Sequence, residues 1–302
     1  MIFNVDYHFH PNLPRNKVKA LIKCKKYWEA LKNNGINTVI ITEHCYKNPR
    51  ESFEFMKKTM PKGFFIFPGI EYITKEGVDI VIFSKSKKIY NYKELEPFNL
   101  KYDETIKFIL RNNLSSFITH PCTVGMTSII SKLGEDKYFH YVNNLNSVEI
   151  VNSSFCNLYK MINKSIFRRL FNKKINRIEK TISLPRKYYP RKVKFLAVSS
   201  DAHYPEELGT YATIKTTSDK LFSRIITNKN PLITTKNYSH LNGLLLMKTA
   251  ITSFGEFLLK KTYLIRKLKI LTIMIVSGIL FQRAGKNVKF YFAKRIIIFS
   301  CQ

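Results

Sequence analysis

Acidic residues are scarce in this 302-residue chain, which has 21 Asp and Glu against 51 Lys and Arg and a formal net charge of +30. This excess favours anionic partners such as phosphate esters, nucleic acid or acidic lipid. The alternative explanation, given equal weight, is a generally basic soluble protein. The five cysteines show neither zinc-finger pairing nor a disulfide ladder, which favours a reducing, cytoplasmic compartment. The first six residues lack a charged leader with an apolar segment and are predicted to form a strand instead.

Long apolar runs are also missing. The run from Ile270 to Phe281 is shorter than the roughly twenty residues that a membrane-spanning helix requires. In residues 241–302, short apolar runs alternate with lysines and arginines. This pattern predicts a basic helical extension appended to residues 1–240. This extension either packs against the preceding domain, the commoner outcome, or lies as an amphipathic helix in peripheral contact with an anionic membrane.

Residues 1–240 alternate short β-branched or aromatic runs with helical patterns, which predicts an α/β fold with a parallel sheet. The predicted strands are Met1 to Tyr7, Thr38 to Thr42, Phe64 to Ile70, Phe117 to Thr119, Val148 to Val151, and Phe195 to Ser199. A helix between the first two strands is predicted to bury Val18, Leu21, Ile22, Trp28 and Leu31. It should end at Gly35, and a second helix should begin at Asn48.

Metal-ligand residue types follow nearly every predicted strand. They are His8 and His10, Glu43 and His44, Glu71, His120, and Asp201 and His203. The carboxyl ends of the strands form the catalytic face of α/β barrels, so residues far apart in sequence converge there. The members of the first pair, His8 and His10, are two residues apart, as are Asp201 and His203. This spacing places both side chains of each pair on one face of an extended strand. Mixed imidazole and carboxylate ligation suits Zn, Mn or Fe, and a carboxylate commonly bridges two such ions.

Five ordered motifs resemble those of the PHP family, the polymerase and histidinol phosphatase superfamily. They are His8-Phe9-His10, Thr42-Glu43-His44, Pro68-Gly69-Ile70-Glu71, Thr119-His120-Pro121 and Ser200-Asp201-Ala202-His203. The resemblance covers residues 1 to about 210. It implies a distorted seven-stranded (β/α) barrel with two or three divalent transition-metal ions and phosphoester hydrolysis as the usual activity.

The resemblance also distributes the ligands: His8, His10, Glu71 and Asp201 at one ion, Glu71 and His120 at a second, and His44 and His203 at a third. Two departures from the family affect this set. No Asp or His follows within residues 11–15, where many members have one, so the site holds either two or three ions. Asp79 stands at the start of the strand after Glu71, where relatives often have a histidine, and is the candidate replacement ligand.

The predicted reaction is hydrolysis of a phosphomonoester, a nucleotide or a short nucleic acid, in which a metal-bridged hydroxide attacks phosphorus in line. Asp201 and Glu43 are the candidate catalytic residues, and Glu149 is favoured as a hydrogen-bond acceptor behind the ligands. Three basic residues are candidates to neutralise the substrate phosphate: Arg15, Lys47 and Arg50. The alternative for each is a solvated surface side chain.

Two rival interpretations stay open. A non-catalytic PHP scaffold would bind nucleic acid or anionic membrane through its basic surface, and a related barrel hydrolase would cleave a C–N bond. The basic segment from Lys160 to Lys194, which includes Arg168 and Arg169, is either a track for a phosphate backbone or a solvated helix face.

Overall fold

The computed structural model describes residues 1–123, 127–156, 159, 172–236, 248 and 260–263. The chain divides into two compact units, Met1–Ala250 and Ile251–Gln302. Arg168, Arg169 and the run from Ile270 to Phe281 lie outside the described residues, so the nucleic-acid track, the helical extension and its membrane contact stay predictions. No helix within the described ranges is long and apolar enough to cross a membrane.

A curled seven-stranded sheet and a separate pair of strands form the framework. The strands are β1 Ile2–Phe9, β2 Thr38–Ile41, β3 Phe65–Ile73, β4 Asp79–Phe83, β5 Ser115–Phe117, β6 Ser147–Asn152, β7 Phe195–Ser199, β8 Tyr211–Lys215 and β9 Leu232–Thr234. The sheet has the order β5-β4-β3-β2-β1-β8-β9, and β6 pairs with β7. Single bridges link Ile118 to Val148 and Phe9 to Ala202. Strands β1 to β7 therefore follow one another around a barrel-like α/β structure.

The prediction of a parallel sheet is wrong in part. Strands β1, β2 and β3 are parallel, as are β6 and β7. However, β4 is antiparallel to both β3 and β5, and β8 is antiparallel to β1. Only residues 74–78 separate β3 from β4, which is too short for the crossover that a parallel pair needs. The reversal brings the first residue of β4, Asp79, opposite the last residue of β3, Ile73.

The helices are α1 Lys17–Asn33, α2 Pro49–Lys58, α3 Tyr102–Arg111, α4 Ile129–Leu133, α5 Glu135–Leu145, α6 Asn172–Ile182 and α7 Leu221–Ile225. Helix α2 begins after Asn48, as predicted, and the Asn48 side chain accepts a hydrogen bond from the backbone of Glu51. The predicted face of α1 is partly wrong, because Val18 and Ile22 are 66% and 51% exposed. The buried stripe instead runs through Ala20, Cys24, Tyr27, Trp28 and Leu31, at helical spacing.

Aromatic rings fill the barrel beneath the predicted ligands. The ring of Tyr7 stacks on that of Phe195 at 6.2 Å, and Phe117 contacts Phe195 edge-on at the same distance. The ring of His8 lies 6.3 Å from that of Phe117. The site thus rests on an apolar floor, which strengthens electrostatic interactions among the groups above it.

Candidate metal centre

The two histidines at the end of β1 meet an aspartate from the segment after β7. The Nε2 atoms of His8 and His10 lie 2.8 Å apart. Asp201 Oδ1 lies 3.2 Å from His10 Nε2 and 3.6 Å from His8 Nε2. All three side chains are buried. Three ligand-type atoms from segments far apart in the sequence therefore converge on one point.

Glu71, near the end of β3, lies between four imidazoles. Its Oε1 is 3.0 Å from His120 Nε2 and 3.6 Å from His8 Nε2. Its Oε2 is 2.5 Å from His44 Nδ1 and 3.6 Å from His10 Nε2. A carboxylate in this position is able to bridge two cations.

All eight predicted metal ligands belong to three groups. Within each group, the ligand atoms lie within 4.8 Å of one another. The first group is His8, His10 and Asp201; the second is Glu71, Asp79 and His120; the third is His10, His44 and His203. Asp79 joins the second group because β4 runs in the reverse direction and begins at this rim. The structure thus brings together the residues that the sequence places at strand ends.

Glu149, on β6, accepts hydrogen bonds behind the ligands. Its Oε1 lies 3.1 Å from His8 Nδ1 and accepts from Ser199 Oγ at 2.5 Å. Its Oε2 accepts from the backbone N–H of His120 at 2.7 Å and from Thr119 Oγ1 at 3.1 Å. A proton on His8 Nδ1 leaves the Nε2 lone pair for an ion, which is the usual arrangement of a metal-binding imidazole.

Asp6 is a site residue that the motifs do not reveal. Its Oδ1 accepts from the backbone N–H groups of Ser200 at 3.0 Å and His8 at 3.2 Å, and its Oδ2 accepts from Ser200 Oγ. Burial raises its pKa to about 7, against the lowering effect of these hydrogen bonds. Asp6 therefore ties the end of β1 to the end of β7, where Asp201 follows.

Two of the predicted ligands have left-handed backbone conformations. The φ angles of His120 and Asp201 are 28° and 49°. Residues other than glycine seldom adopt such angles, and the strain concentrates at functional sites that the surrounding structure enforces. Here the backbone N–H of Asp201 donates to the carbonyl oxygen of His8 at 2.9 Å, which holds the turn after β7 against β1.

The buried charge of this cluster fits bound cations. Among the described residues, seven carboxylates are buried: the predicted ligands Glu71, Asp79 and Asp201, and their neighbours Asp6, Glu43, Glu149 and Glu207. No lysine or arginine in the described part of the chain is buried. An uncompensated buried carboxylate costs several kcal/mol, so protonated histidines or metal ions have to balance this charge. The imidazole nitrogens and carboxylate oxygens suit Zn, Mn or Fe.

The histidines differ in their tendency to hold a proton. Burial opposes a charge on His8, but neighbouring carboxylates, Asp201 foremost, outweigh it and raise the pKa of that ring to about 10. Burial lowers the pKa of His10, and the adjacent rings of His44 and His203 lower it further. In the absence of an ion, the proton on His8 thus supplies positive charge that a bound metal ion would otherwise supply.

Glu43, predicted to be catalytic, lies behind His10. Its Oε1 is 3.6 Å from His10 Nδ1, and its Oε2 accepts from the backbone N–H of Asn12 at 2.6 Å. Burial opposes its charge, yet the adjacent His10 ring and the charge of Lys47 bring its pKa down to about 2. Glu43 is therefore ionised and positioned to orient His10.

The three predicted phosphate-binding residues differ in surroundings. Lys47 lies beside the site, where its Nζ donates to Asn12 Oδ1 at 3.1 Å. Arg50 is exposed and donates to the side chain of Asn91. Arg15 is exposed on the loop before α1. Their roles stay predictions.

Comparison with solved structures supports the fold. The chain is similar to PsfC from Pseudomonas syringae PB-5123, with a TM-score of 0.55 and 13% identity over 83% of this chain and 97% of that chain. A weaker likeness, with a TM-score of 0.43 and 16% identity, links 77% of this chain to 58% of PfuEndoQ, a lesion-specific endonuclease from Pyrococcus furiosus. No model of a known protein family and no curated protein matches the chain. At this identity the likeness to PsfC concerns the mixed α/β fold alone.

Proposed function

We propose that this protein is a metal-dependent hydrolase of phosphate esters, related to the PHP family. The observation that carries this proposal is the buried cluster of seven carboxylates and its histidines at one rim of the barrel, without a buried lysine or arginine in the described ranges to balance it. The ordered motifs of the family supply the reaction class. The fold shared with PsfC is compatible with that assignment.

The three groups define where ions would be held: His8, His10 and Asp201, then Glu71, Asp79 and His120, then His10, His44 and His203. Divalent ions held by these residues would polarise the phosphoryl oxygens and stabilise the charge that develops on the leaving oxygen. Glu71 contacts histidines of all three groups and is the candidate shared ligand.

The chain's own hydrogen bonds fix these side chains in advance. Glu149 and Thr119 orient His8, and the Nδ2 of Asn152 donates to Asp201 Oδ2 at 3.1 Å. A site whose donors are already oriented avoids the cost of reorganisation when charge develops in the transition state. The protein thus contributes geometry and electrostatics rather than a covalent step.

The remaining surface charge favours phosphate over a C–N substrate. Seven of the 21 acidic residues are buried at the site, so at most 14 are left against 51 lysines and arginines. Such a field attracts phosphate esters, whereas a neutral amide gains nothing from it.

The test is a phosphate-release screen on the purified chain together with its metal content. We expect about one or more ions per chain and a hydrolysis rate that falls to background after chelation. Zn, Mn or Fe added after removal of the chelator should restore the rate. Hydrolysis that continues undiminished with chelator, in a protein holding less than about one ion, would refute the proposal.

A further inference from the structure

The segments that carry His10 and His203 are joined behind the predicted ligands by a tyrosine of α1. Tyr27 is fully buried, and its ring meets that of Phe9 edge-on at 4.9 Å. Its hydroxyl donates to the carbonyl oxygens of both histidines, at 2.6 Å to His203 and at 3.2 Å to His10. One side chain therefore fixes the backbone of two ligands, one from β1 and one from the segment after β7.

The backbone of His203 is held from its other side by Glu207. The Oε2 of Glu207 accepts from the backbone N–H groups of His203 at 2.7 Å and Tyr204 at 3.1 Å. The side chains of Glu207 and Tyr27 are both buried. The N–H and the C=O of His203 thus each bind a buried side chain that is not itself a predicted ligand.

The fixed backbone determines the direction of the His203 ring. Its Nδ1 lies 3.1 Å from the carbonyl oxygen of Asp201, so a proton on Nδ1 leaves the Nε2 lone pair for an ion. Its Nε2 lies 3.4 Å from the Nε2 of His44, and its ring stacks on that of His10 with centres 4.4 Å apart. The three imidazoles of the third group therefore meet through a ring whose backbone is held at both ends.

The third group depends on this geometry more than the other two groups do. It consists of three imidazoles, whereas each of the other groups contains at least one carboxylate. A neutral imidazole brings no charge to attract a cation, so the affinity rests on the directions of the nitrogen lone pairs. Loss of an outer partner that orients a metal ligand typically costs about 10 to 100-fold in metal affinity.

We propose that Tyr27 is a positioning residue of the third group. It acts through His203, with Glu207 as its counterpart on the other side of that residue, and sets the affinity for an ion held there. This inference rests on the proposed hydrolase function, because the ion belongs to the same site. Neither Tyr27 nor Glu207 belongs to the five ordered motifs.

Tyr27→Phe tests the proposal, because phenylalanine keeps the ring against Phe9 and removes only the hydroxyl. Zn²⁺ is titrated calorimetrically into the full chain after a chelator has removed its metal. We expect the dissociation constant of the weakest binding step to rise about tenfold or more, while the tighter steps keep their wild-type values. Glu207→Ala should weaken the same step. Glu207→Gln keeps an oxygen that can accept from the two backbone N–H groups, so it should retain much of the affinity.

Two further variants connect the weakened step to His203 and to the lost hydroxyl. His203→Ala should abolish the weakest step, and in that background Tyr27→Phe should leave the remaining steps unchanged, because it acts through the missing ring. Tyr138→Phe is the matched control. The Tyr138 hydroxyl is also buried and donates to a backbone carbonyl oxygen, that of Tyr188. Its loss should lower the unfolding temperature and alter no metal-binding step.

An unchanged weakest step in a folded Tyr27→Phe variant, with folding checked by thermal unfolding, overturns the proposal. A loss that is equal in all steps, or that reappears in the remaining steps of His203→Ala, also overturns it, because either result indicates general damage. If Tyr27→Phe does not fold, the comparison of Glu207→Ala with Glu207→Gln decides, and wild-type affinities in both variants count against the proposal.

Failure of this inference and failure of the proposed function give different results. If His203→Ala leaves every binding step unchanged, the third group holds no ion, and the role of Tyr27 is refuted while the hydrolase proposal stands. Because Zn²⁺ binding needs no turnover, a chain that shows the expected shifts but hydrolyses no ester would remove the proposed function and leave Tyr27 as a positioning residue.

Discussion

Glu71→Gln is expected to lower hydrolysis of a phosphate ester by more than about a hundredfold and to reduce the metal content of the purified protein. Burial opposes the charge of Glu71, but the adjacent imidazoles, His44 first, hold its pKa well below the usual range, so the group is a carboxylate. The amide keeps the size of the side chain, loses the charge and turns a donor toward His44 or His120. Loss of a group behind a metal ligand already costs about 10 to 100-fold, so loss of a shared ligand should cost more.

The matched control is Glu94→Gln, which makes the same chemical change at an exposed position. Elemental analysis and initial rates on one phosphomonoester should leave this control at wild-type values. If Glu71→Gln retained both its ions and its rate, Glu71 would be a structural acceptor for the surrounding imidazoles, and the shared-ligand assignment would be wrong.

The rim of the site was predictable from the sequence because ligand types mark the ends of strands. The predicted strand from Phe195 to Ser199 matches β7, and the turn after it presents Asp201. Likewise His8 and His10 fall at the end of β1, where the spacing of two brings their rings to centroids 4.8 Å apart. Such local patterns survive folding because they depend only on strand geometry.

The antiparallel strands were missed because their cause is the length of a connection. Residues 74–78 form a hairpin loop between β3 and β4. The hydrophobic pattern of the two strands does not show whether such a loop or a longer crossover joins them. Asp79 was predicted at the start of the strand after Glu71, and the reversed direction of β4 is what brings that start to the rim.

Asp6 could not be singled out because one of its partners is remote in sequence. It gains Ser200 beside its neighbour His8 only when β7 comes beside β1. Long-range packing, which no local periodicity encodes, decides this case.

Asp201→Asn is expected to separate a hydrolase from a binding scaffold. The left-handed backbone at this position suits asparagine, which adopts such angles readily, so the fold should survive the change. The bond from Asn152 can be kept if the new amide presents its oxygen there, which turns its NH₂ group toward His10. An NH₂ group cannot hold a cation, so we expect loss of metal from the first group and a drop in turnover of more than about a hundredfold.

The stabilisation that added metal gives to the folded protein distinguishes this loss from general damage. Burial opposes the charge of Asp201, and His8 leads the groups that hold its pKa far below the usual range. A carboxylate whose pKa is lowered by folding stabilises the fold at neutral pH, so the metal-free variant should unfold somewhat below the metal-free wild type. The further stabilisation by added metal should fall well below that of the wild type. Asp219→Asn, exposed and four residues after β8, should change neither quantity.

A scaffold that binds nucleic acid or membrane through its basic surface would tolerate Asp201→Asn, since its partner touches other residues. Full turnover and full metal content in this variant would therefore exclude the hydrolase assignment and leave the scaffold in its place.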